Sequence, residues 1–578
     1  MTNAEIAAAL DELGVLYELD GAVRYRVLAY STAAKAIRES PVSVAELAAK
    51  GEATKVPGVG KTLAEKIDAL LETGEIPAAV KLKAKFPPTL IEVTRVPGVG
   101  TKTARRLFEE LDVCSMEDLK AAAEAEKVRQ VKGLGPKQEE NILAALERLG
   151  EPGEGPGRLL LSKVKPIAEE LAAALRDHPA CDRVEVAGSG RRWAETCKDI
   201  DLIATAEEPL ALAEHLAGHP LIAAAGNPSE NGLHAQTHNG VSVDLRIVAP
   251  AKFGNLLQHF TGSKAHNVQL REGAVARGLS VSEHGITETE SGDVQTCATE
   301  AEVYERLGYS YVEPELREGR GELKAAREGM LPELVETGDL KGDLHSHTTL
   351  SDGRNSLEEM AEAARDRDYE YLAITDHSAS HGFGDHVTAE RLWERIEEVR
   401  AWNEGYGKKD FRLLAGSEIN IGLDGSLDYP DDLVAALDWV VASVHTSFSV
   451  SEEQMTERVV TAIENPNVDC IGHLTGRLIG RREPYGIDVE AVAEAAARTG
   501  TMIEINGNPN RRDLSDLHAR LASEAGVKIV LNTDAHGVDT LDNIAYAVAT
   551  ARRAWLTPDD VANTRGWKDF KKLLRSAS

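Results

Sequence analysis

Cysteine is scarce in this chain, bases are outnumbered by acids, and no long apolar run occurs. Each shortage removes a class of protein. Five cysteines (Cys114, Cys181, Cys197, Cys297, Cys470) stand without any CxxC spacing, which argues against a disulfide framework and a thiolate zinc site and points to a reducing cytoplasm. No run of about 18 apolar residues is present, and residues 1–10 lack the cationic and apolar segments of an export signal, so a cytoplasmic location without a membrane partner is expected. Ninety-five acidic against 65 basic residues give a net charge of −30, which alone disfavours a nucleic-acid partner. One segment departs from that balance: residues 54–110 hold ten Lys/Arg and seven Asp/Glu, a local net of +3. The remaining acidity reads as solvated surface or as adaptation to a salty cytoplasm, where phosphate contacts weaken.

A length of 578 residues predicts several domains, at about 150 residues each. Residues 2–149 are helical in pattern, opening on a Thr2/Glu5 capping box. Within them Val56-Pro57-Gly58-Val59-Gly60-Lys61 recurs as Val96-Pro97-Gly98-Val99-Gly100-Thr101, with a weaker third copy around Gly133 and Gly135. A Gly-x-Gly turn opening a helix offers backbone amides to a phosphate without reading bases. The copies resemble the helix-hairpin-helix module, which implies DNA-backbone contacts at Gly58, Gly60, Gly98, Gly100, Gly133 and Gly135. Residues 151–157, with three glycines and two prolines, read as a linker.

Next comes Gly188-Ser189-Gly190-Arg191-Arg192, then Lys198-Asp199-Ile200-Asp201-Leu202. Asp199 and Asp201 alternate with apolar residues, so on a strand their carboxylates share a face. In Val243-Asp244-Leu245 the same alternation predicts a third carboxylate able to sit beside them. Amides and arginines for phosphate, with carboxylates for a cation, fit nucleotidyl transfer.

With these motifs in place, residues 1–318 resemble a bacterial or archaeal family X DNA polymerase of the DNA polymerase beta type. The resemblance implies that Gly188, Ser189 and Arg192 hold a triphosphate and that Asp199, Asp201 and Asp244 bind Mg2+ or Mn2+ and catalyse. It implies further that the turn containing Phe260 and Gly262 packs on the nucleotide sugar, that Asn267 touches the base and that Arg271 contacts the template. Lys66 matches the lysine that forms a Schiff base with an abasic sugar in members with lyase activity. Tyr30 fits that pattern, whereas Arg26 and Thr62 replace lysines. His259 stands where well-known members carry Tyr, and Trp193 where they carry Gly, which bears on ribonucleotide rejection.

From residue 343 onward, seven apolar runs each end in ligand-type residues, with helical patterns between them. This predicts a β/α barrel of parallel strands whose polar strand ends mark the active face. His345, His347, Asp352, His377, Glu418, His445, His473, Asp534 and His536 collect there, a donor mixture suited to Zn, Mn or Fe. The patterns His345-Ser346-His347, Thr375-Asp376-His377, Gly472-His473 and Asp534-Ala535-His536 are similar to the PHP phosphoesterase domain. That resemblance implies three ions: His345, His347, Glu418 and Asp534 at one, Glu418, His445 and His473 at a second, and Asp352, His377 and His536 at a third. Arg477 and Arg482 are candidates to grip DNA nearby.

The expected architecture is therefore a helical helix-hairpin-helix domain (1–80) with fingers (81–150), an α/β nucleotidyltransferase palm (151–250), a thumb (251–317), a charged linker (318–340), and a PHP distorted (β/α)7 barrel (341–578). The expected function is gap-filling DNA repair synthesis with 3′–5′ exonuclease or other phosphoesterase action, abasic-site endonuclease included. Its partners are gapped or nicked duplex DNA, 3′ ends and dNTPs, and the expected state is a monomer. Two alternatives are a small-molecule phosphatase of the histidinol-phosphate type tethered to DNA, and a non-catalytic DNA-end scaffold. Twelve ligand-type residues in register count against the scaffold.

Overall fold

The computed structural model describes residues 1–94, 96, 98–149, 158–380, 387–406 and 410–574. The expected linker at 151–157 and Pro97 of the second glycine turn lie outside them. The chain forms two compact units: Met1–Leu159, Lys163–Val186 and Lys198–Ala249 in one, and Leu160–Ser162, Ala187–Cys197 and Pro250–Ser578 in the other. No helix among the described residues is long and apolar enough to cross a membrane.

In the first unit, residues 1–149 are helical, beginning with Asn3–Leu19, whose Thr2/Glu5 capping box is formed. The three glycine turns repeat one geometry. Their first glycines, Gly58, Gly98 and Gly133, have φ of 80°, 90° and 83°, a conformation open mainly to glycine. Each turn is pinned from within by two buried apolar residues: Val56 and Val59, Val96 and Val99, Val131 and Leu134. Gly60 and Gly100 are the N-caps of helices Lys61–Thr73 and Thr101–Leu111, with no side chain bonded to the cap. In the third turn the Gly135 amide instead donates to Gln138 Oε1 at 3.0 Å.

The same unit contains a five-stranded sheet in the order Cys181–Val186, Asp199–Ala206, Ser242–Ile247, Gly232–Thr237, Ile222–Ala225. Its centre is the parallel pair Asp199–Ala206 and Ser242–Ile247, flanked by antiparallel neighbours. Ile200, Leu202, Val243 and Leu245 are buried, so the alternation drives the intervening polar residues to the opposite face.

The second unit joins the thumb to the C-terminal barrel. Seven strands, from Gly342–Asp343 to Ile529–Asn532, follow one another in chain order, all parallel. A parallel bridge between Ser346 and Ala535 links the segments that follow the first strand and the last. All four residues of Tyr371–Ile374 and all five of Trp439–Ser443 are buried, as expected of parallel strands covered on both faces. Around the start of the expected charged linker (318–340), Glu315, Arg317 and Glu322 are buried. Arg317 Nη1 bonds Glu300 Oε1 at 2.6 Å, and Glu322 takes His266 Nδ1 at 2.7 Å. Charge is tolerated inside because each group meets an opposite or hydrogen-bonding partner.

Candidate active sites

The first site is set by strand register. Asp201 lies directly opposite Asp244 on the neighbouring parallel strand, and Asp199 opposite Ser242. Since side chains two apart share a face, the three carboxylates rise from one side of the sheet. Asp199, Asp201 and Asp244 are half-buried, each followed by a buried aliphatic residue. Arg246, two residues along, bonds Asp244 Oδ2 at 2.9 Å, and His234 Nδ1 is 3.8 Å from Asp244 Oδ1. Three hard oxygen donors on one face fit Mg2+ or Mn2+.

In the second unit, Gly188 (φ 64°) opens one four-residue helical turn, Gly188–Arg191. Arg191 donates to Thr261 Oγ1 at 2.7 Å and to Glu300 at 2.6 Å. Arg192 bonds the Thr261 carbonyl and Glu318 Oε1, the latter at 3.1 Å. An added Cβ at Gly262 would lie 3.2 Å from Arg192 Nη1, so glycine permits that approach. Asn267 donates to the His259 carbonyl at 2.8 Å and accepts from Gln258 at 2.9 Å. Arg271 lies 3.3 Å from His259 Nδ1. Phe260 packs at the same turn, 5.5 Å from the His259 ring. Burial holds the His259 pKa down against the pull of Glu283, with Arg271 adding to the lowering.

Lys66 sits half-buried on helix Lys61–Thr73 in the first unit. Tyr30 is buried against Tyr17, ring centres 5.3 Å apart, with Arg26 over the Tyr17 ring at 3.8 Å. Burial and the neighbouring Tyr17 phenol push the Tyr30 pKa up to about 12.

All nine residues expected at the barrel's active face converge. Glu418 is central and fully buried: Oε2 meets His377 Nδ1 at 2.9 Å and His345 Nε2 at 3.3 Å, and Oε1 meets His473 Nε2 at 2.9 Å and His445 Nε2 at 3.1 Å. His347 Nε2 lies 3.2 Å from Asp534 Oδ1, and His536 Nε2 lies 3.3 Å from Asp352 Oδ2. Ligand atoms fall into three groups, each within 4.8 Å: His347, Asp352, His377 and His536; His345, His347 and Asp534; His377, Glu418 and His445. The grouping differs from the implied partition: His347 and His377 are each shared, Glu418 stands in one group instead of two, and His473 is in none of the three. Asp352 and His536 have side chains 28% and 31% exposed while the rest are nearly closed, so they form the mouth.

The donors fit metal ions on their own chemistry. His347 Nδ1 and His473 Nδ1 are buried without a hydrogen-bond partner, an arrangement costly for polar atoms unless a cation takes them. Burial opposes the Glu418 and Asp534 carboxylates, but the surrounding imidazoles outweigh it and hold both well below the usual range. Burial lowers His347 to about 4, aided by His536 and His377, and lowers His445 to about 4 against the opposing Glu418. Against burial, the neighbouring carboxylates push His345 and His377 up, and His536 up to about 9, so a cation taking these three imidazoles displaces their protons.

Sequence reasoning missed the residues that hold these ligands. Glu504, fully buried, accepts His345 Nδ1 at 2.6 Å, the His473 amide at 3.2 Å and the amides of Asn506 and Asn532. Asp376 accepts from the amide and hydroxyl of Thr348 and from Ser351, fixing the loop that carries Asp352. The signal for Glu504 was present: a charged residue between Ile503 and Ile505 on a strand with both faces covered. Because such a partner fixes ring orientation and ligand basicity, Glu504→Gln is expected to weaken metal binding about 10- to 100-fold, as read by calorimetric titration with Mn2+. Wild-type affinity would remove Glu504 from the centre.

The two arginines considered for DNA contact are engaged inside the chain. Arg477 pairs with Glu195 at 2.5 Å and bonds the Arg512 carbonyl, while Arg482 bonds the Gly476 carbonyl at 2.8 Å and lies over the Phe448 ring.

Four family models match: a helix-hairpin-helix domain over residues 1–76, a SAM-like helix-hairpin-helix tandem over 90–148, the DNA polymerase beta thumb over 256–318, and the PHP domain over 343–508. Over its whole length the chain is 38% identical to the DNA polymerase/3′-5′ exonuclease PolX of Bacillus subtilis (strain 168), and covers all of that protein. The chain belongs to the family X DNA polymerases. The polymerase also shares 26% identity over 349 residues with DNA polymerase lambda of Rattus norvegicus, 55% of this chain and 56% of that one. Its similarity to a probable phosphatase of Thermoanaerobacter sp. (strain X514) is 33% over 238 residues, 38% of this chain and 89% of that protein. Full-length agreement with PolX accounts for helices, thumb and barrel together, which a tethered phosphatase does not.

Proposed function

We propose that this polymerase fills short gaps in DNA during repair and removes 3′ nucleotides or blocked 3′ ends through its barrel, in the cytoplasm and as a monomer. The register that sets Asp201 opposite Asp244 carries the first half: three carboxylates on one sheet face form the centre for nucleotidyl transfer. Divalent cations bound there would supply charge neutralisation on the triphosphate and would lower the pKa of the primer hydroxyl. Asp199, Asp201 and Asp244 hold them, while Arg246 orients the Asp244 carboxylate. Gly188, Ser189 and Arg192 receive the triphosphate; Phe260 and Gly262 shape the sugar pocket, Asn267 addresses the base and Arg271 the template. The amide-bearing turns at Gly58, Gly60, Gly98 and Gly100 take DNA phosphates; those at Gly133 and Gly135 do so more weakly, since Gln138 already occupies one amide.

In the barrel, three Mn2+, Zn2+ or Fe ions would provide Lewis acidity and an activated water for phosphodiester hydrolysis. His345, His347, Asp352, His377, Glu418, His445, His473, Asp534 and His536 hold them, and Glu504 fixes the tautomer and angle of His345. Substrate enters past Asp352 and His536.

A one-nucleotide gapped duplex carrying a 5′ abasic sugar tests the reading in one tube. With Mg2+ or Mn2+ and dNTP the gap is expected to be filled, and borohydride is expected to trap a protein–DNA adduct that Lys66→Ala no longer forms. Absence of filling would refute the polymerase assignment, and an undiminished Lys66→Ala adduct would refute the lysine's role.

A further inference from the structure

The loop 187–197, which contains Gly188, Ser189 and Arg192, belongs to the same compact unit as the barrel, and barrel side chains hold it. Trp193 has φ 53°, a left-handed conformation disfavoured for a bulky residue. Its ring packs edge-on against Tyr546, centroids 5.7 Å apart at 80°. Its carbonyl accepts from Arg512 Nη1 at 2.9 Å; Arg512 is 1% exposed, and its Nε donates to Thr550 Oγ1. One residue earlier, the Arg192 carbonyl accepts from Arg553 Nη1 at 2.8 Å. That guanidinium also bonds Glu318, which in turn bonds the Arg192 side chain, and it pairs with Asp516 at 3.0 Å. Two residues later, Glu195 is taken by Arg477. Barrel groups from three separate segments thus hold Arg192, Trp193 and Glu195 of one short loop. The turn before Trp193 closes on the same stretch, with the Trp193 amide donating to the Gly190 carbonyl at 3.2 Å and the Ala194 amide to that of Ser189 at 3.0 Å.

We infer that Tyr546, Arg512 and Arg553 of the barrel are positioning residues for DNA synthesis: they set the loop that presents Ser189 and Arg192 to the incoming nucleotide. The inference rests on the reading of those two residues as nucleotide-binding. It makes the barrel a structural part of the synthetic reaction, separately from its hydrolytic ligands. None of the three barrel residues is among the nine ligand-type side chains, so substituting them tests geometry and leaves that cluster's composition intact.

Single-nucleotide gap filling by the full chain, with kcat and dNTP KM measured separately, decides it. Tyr546→Ala is expected to raise dNTP KM about fivefold with kcat within about twofold, as for a lost binding geometry. Shortening of single-stranded DNA by the same preparation should stay at the wild-type rate, which also reports an intact barrel. In a Trp193→Gly background, where the chain needs no help to adopt φ 53°, Tyr546→Ala should have no further effect. Arg553→Gln should raise KM about tenfold and Arg553→Lys less, because one donor is retained. An unchanged KM in Tyr546→Ala, or an effect that adds fully to that of Trp193→Gly, overturns the inference. Arg192→Ala separates the two levels. If it leaves KM unchanged, the nucleotide-loop reading fails and takes the inference with it. If it raises KM while Tyr546→Ala and Arg553→Gln do not, only the barrel's role fails.

Discussion

Asp201→Ala is expected to lower nucleotide addition on gapped DNA roughly a thousandfold, the scale on which one preorganised electrostatic partner of a transition state is lost. The argument is positional. Asp201 stands between its strand neighbour Asp199 and its cross-strand partner Asp244, so it is the one carboxylate adjacent to both others. Removing it leaves two carboxylates to hold the cations and disrupts the arrangement that draws charge off the triphosphate. Being half-buried on a sheet face, it should cost the fold little, within about 0.5 kcal/mol. Primer extension with the melting temperature measured in parallel distinguishes chemistry from stability. Retention of more than about a tenth of the wild-type rate, a deficit near 1.4 kcal/mol, would show that the trio is not the centre of synthesis.

Glu418→Gln is expected to be as damaging to hydrolysis. One carboxylate contacts His345, His377, His445 and His473 within 3.3 Å and His347 at 3.7 Å. Glutamine keeps the shape but loses the charge and one acceptor, so five imidazoles no longer share an anion. Bound metal per chain, counted by elemental analysis after dialysis, should fall, and shortening of single-stranded DNA should drop about a thousandfold. Chelation followed by Mn2+ should restore wild type and leave the variant inactive. A variant with full metal content and full hydrolysis would place Glu418 outside the mechanism.

The parts of this enzyme that were legible from sequence are those in which chemistry follows local period. Ile200 and Leu202 alternate with Asp199 and Asp201, so the shared carboxylate face could be read before any strand pairing was known. The seven apolar runs ending in His, Asp or Glu likewise revealed both the parallel barrel and its active end, because strands covered on both faces leave few other places for such residues. The glycine turns were legible because they repeat. What escaped was what depends on partners distant in sequence. Glu504 looks like an isolated charge until His345, 159 residues earlier, is placed against it. The run around Glu315, Arg317 and Glu322 reads only as charged, because composition does not record that Glu300 bonds Arg317 and His266 bonds Glu322 in the interior. Trp193 looks like a departure from a glycine pattern until Tyr546 and Arg512, more than 300 residues later, are placed against it.

The bridge between Ser346 and Ala535 also bears on the order in which the protein comes into being. The carboxylates of the synthetic centre are all in hand once residue 244 has been made, whereas hydrolytic ligands begin at residue 345 and finish at 536. Because domains tend to fold as they leave the ribosome, a nascent chain holds its sheet of carboxylates long before the barrel can close. The ligand set for cutting DNA is therefore completed last, since Asp534 and His536 come only after the final strand, Ile529–Asn532.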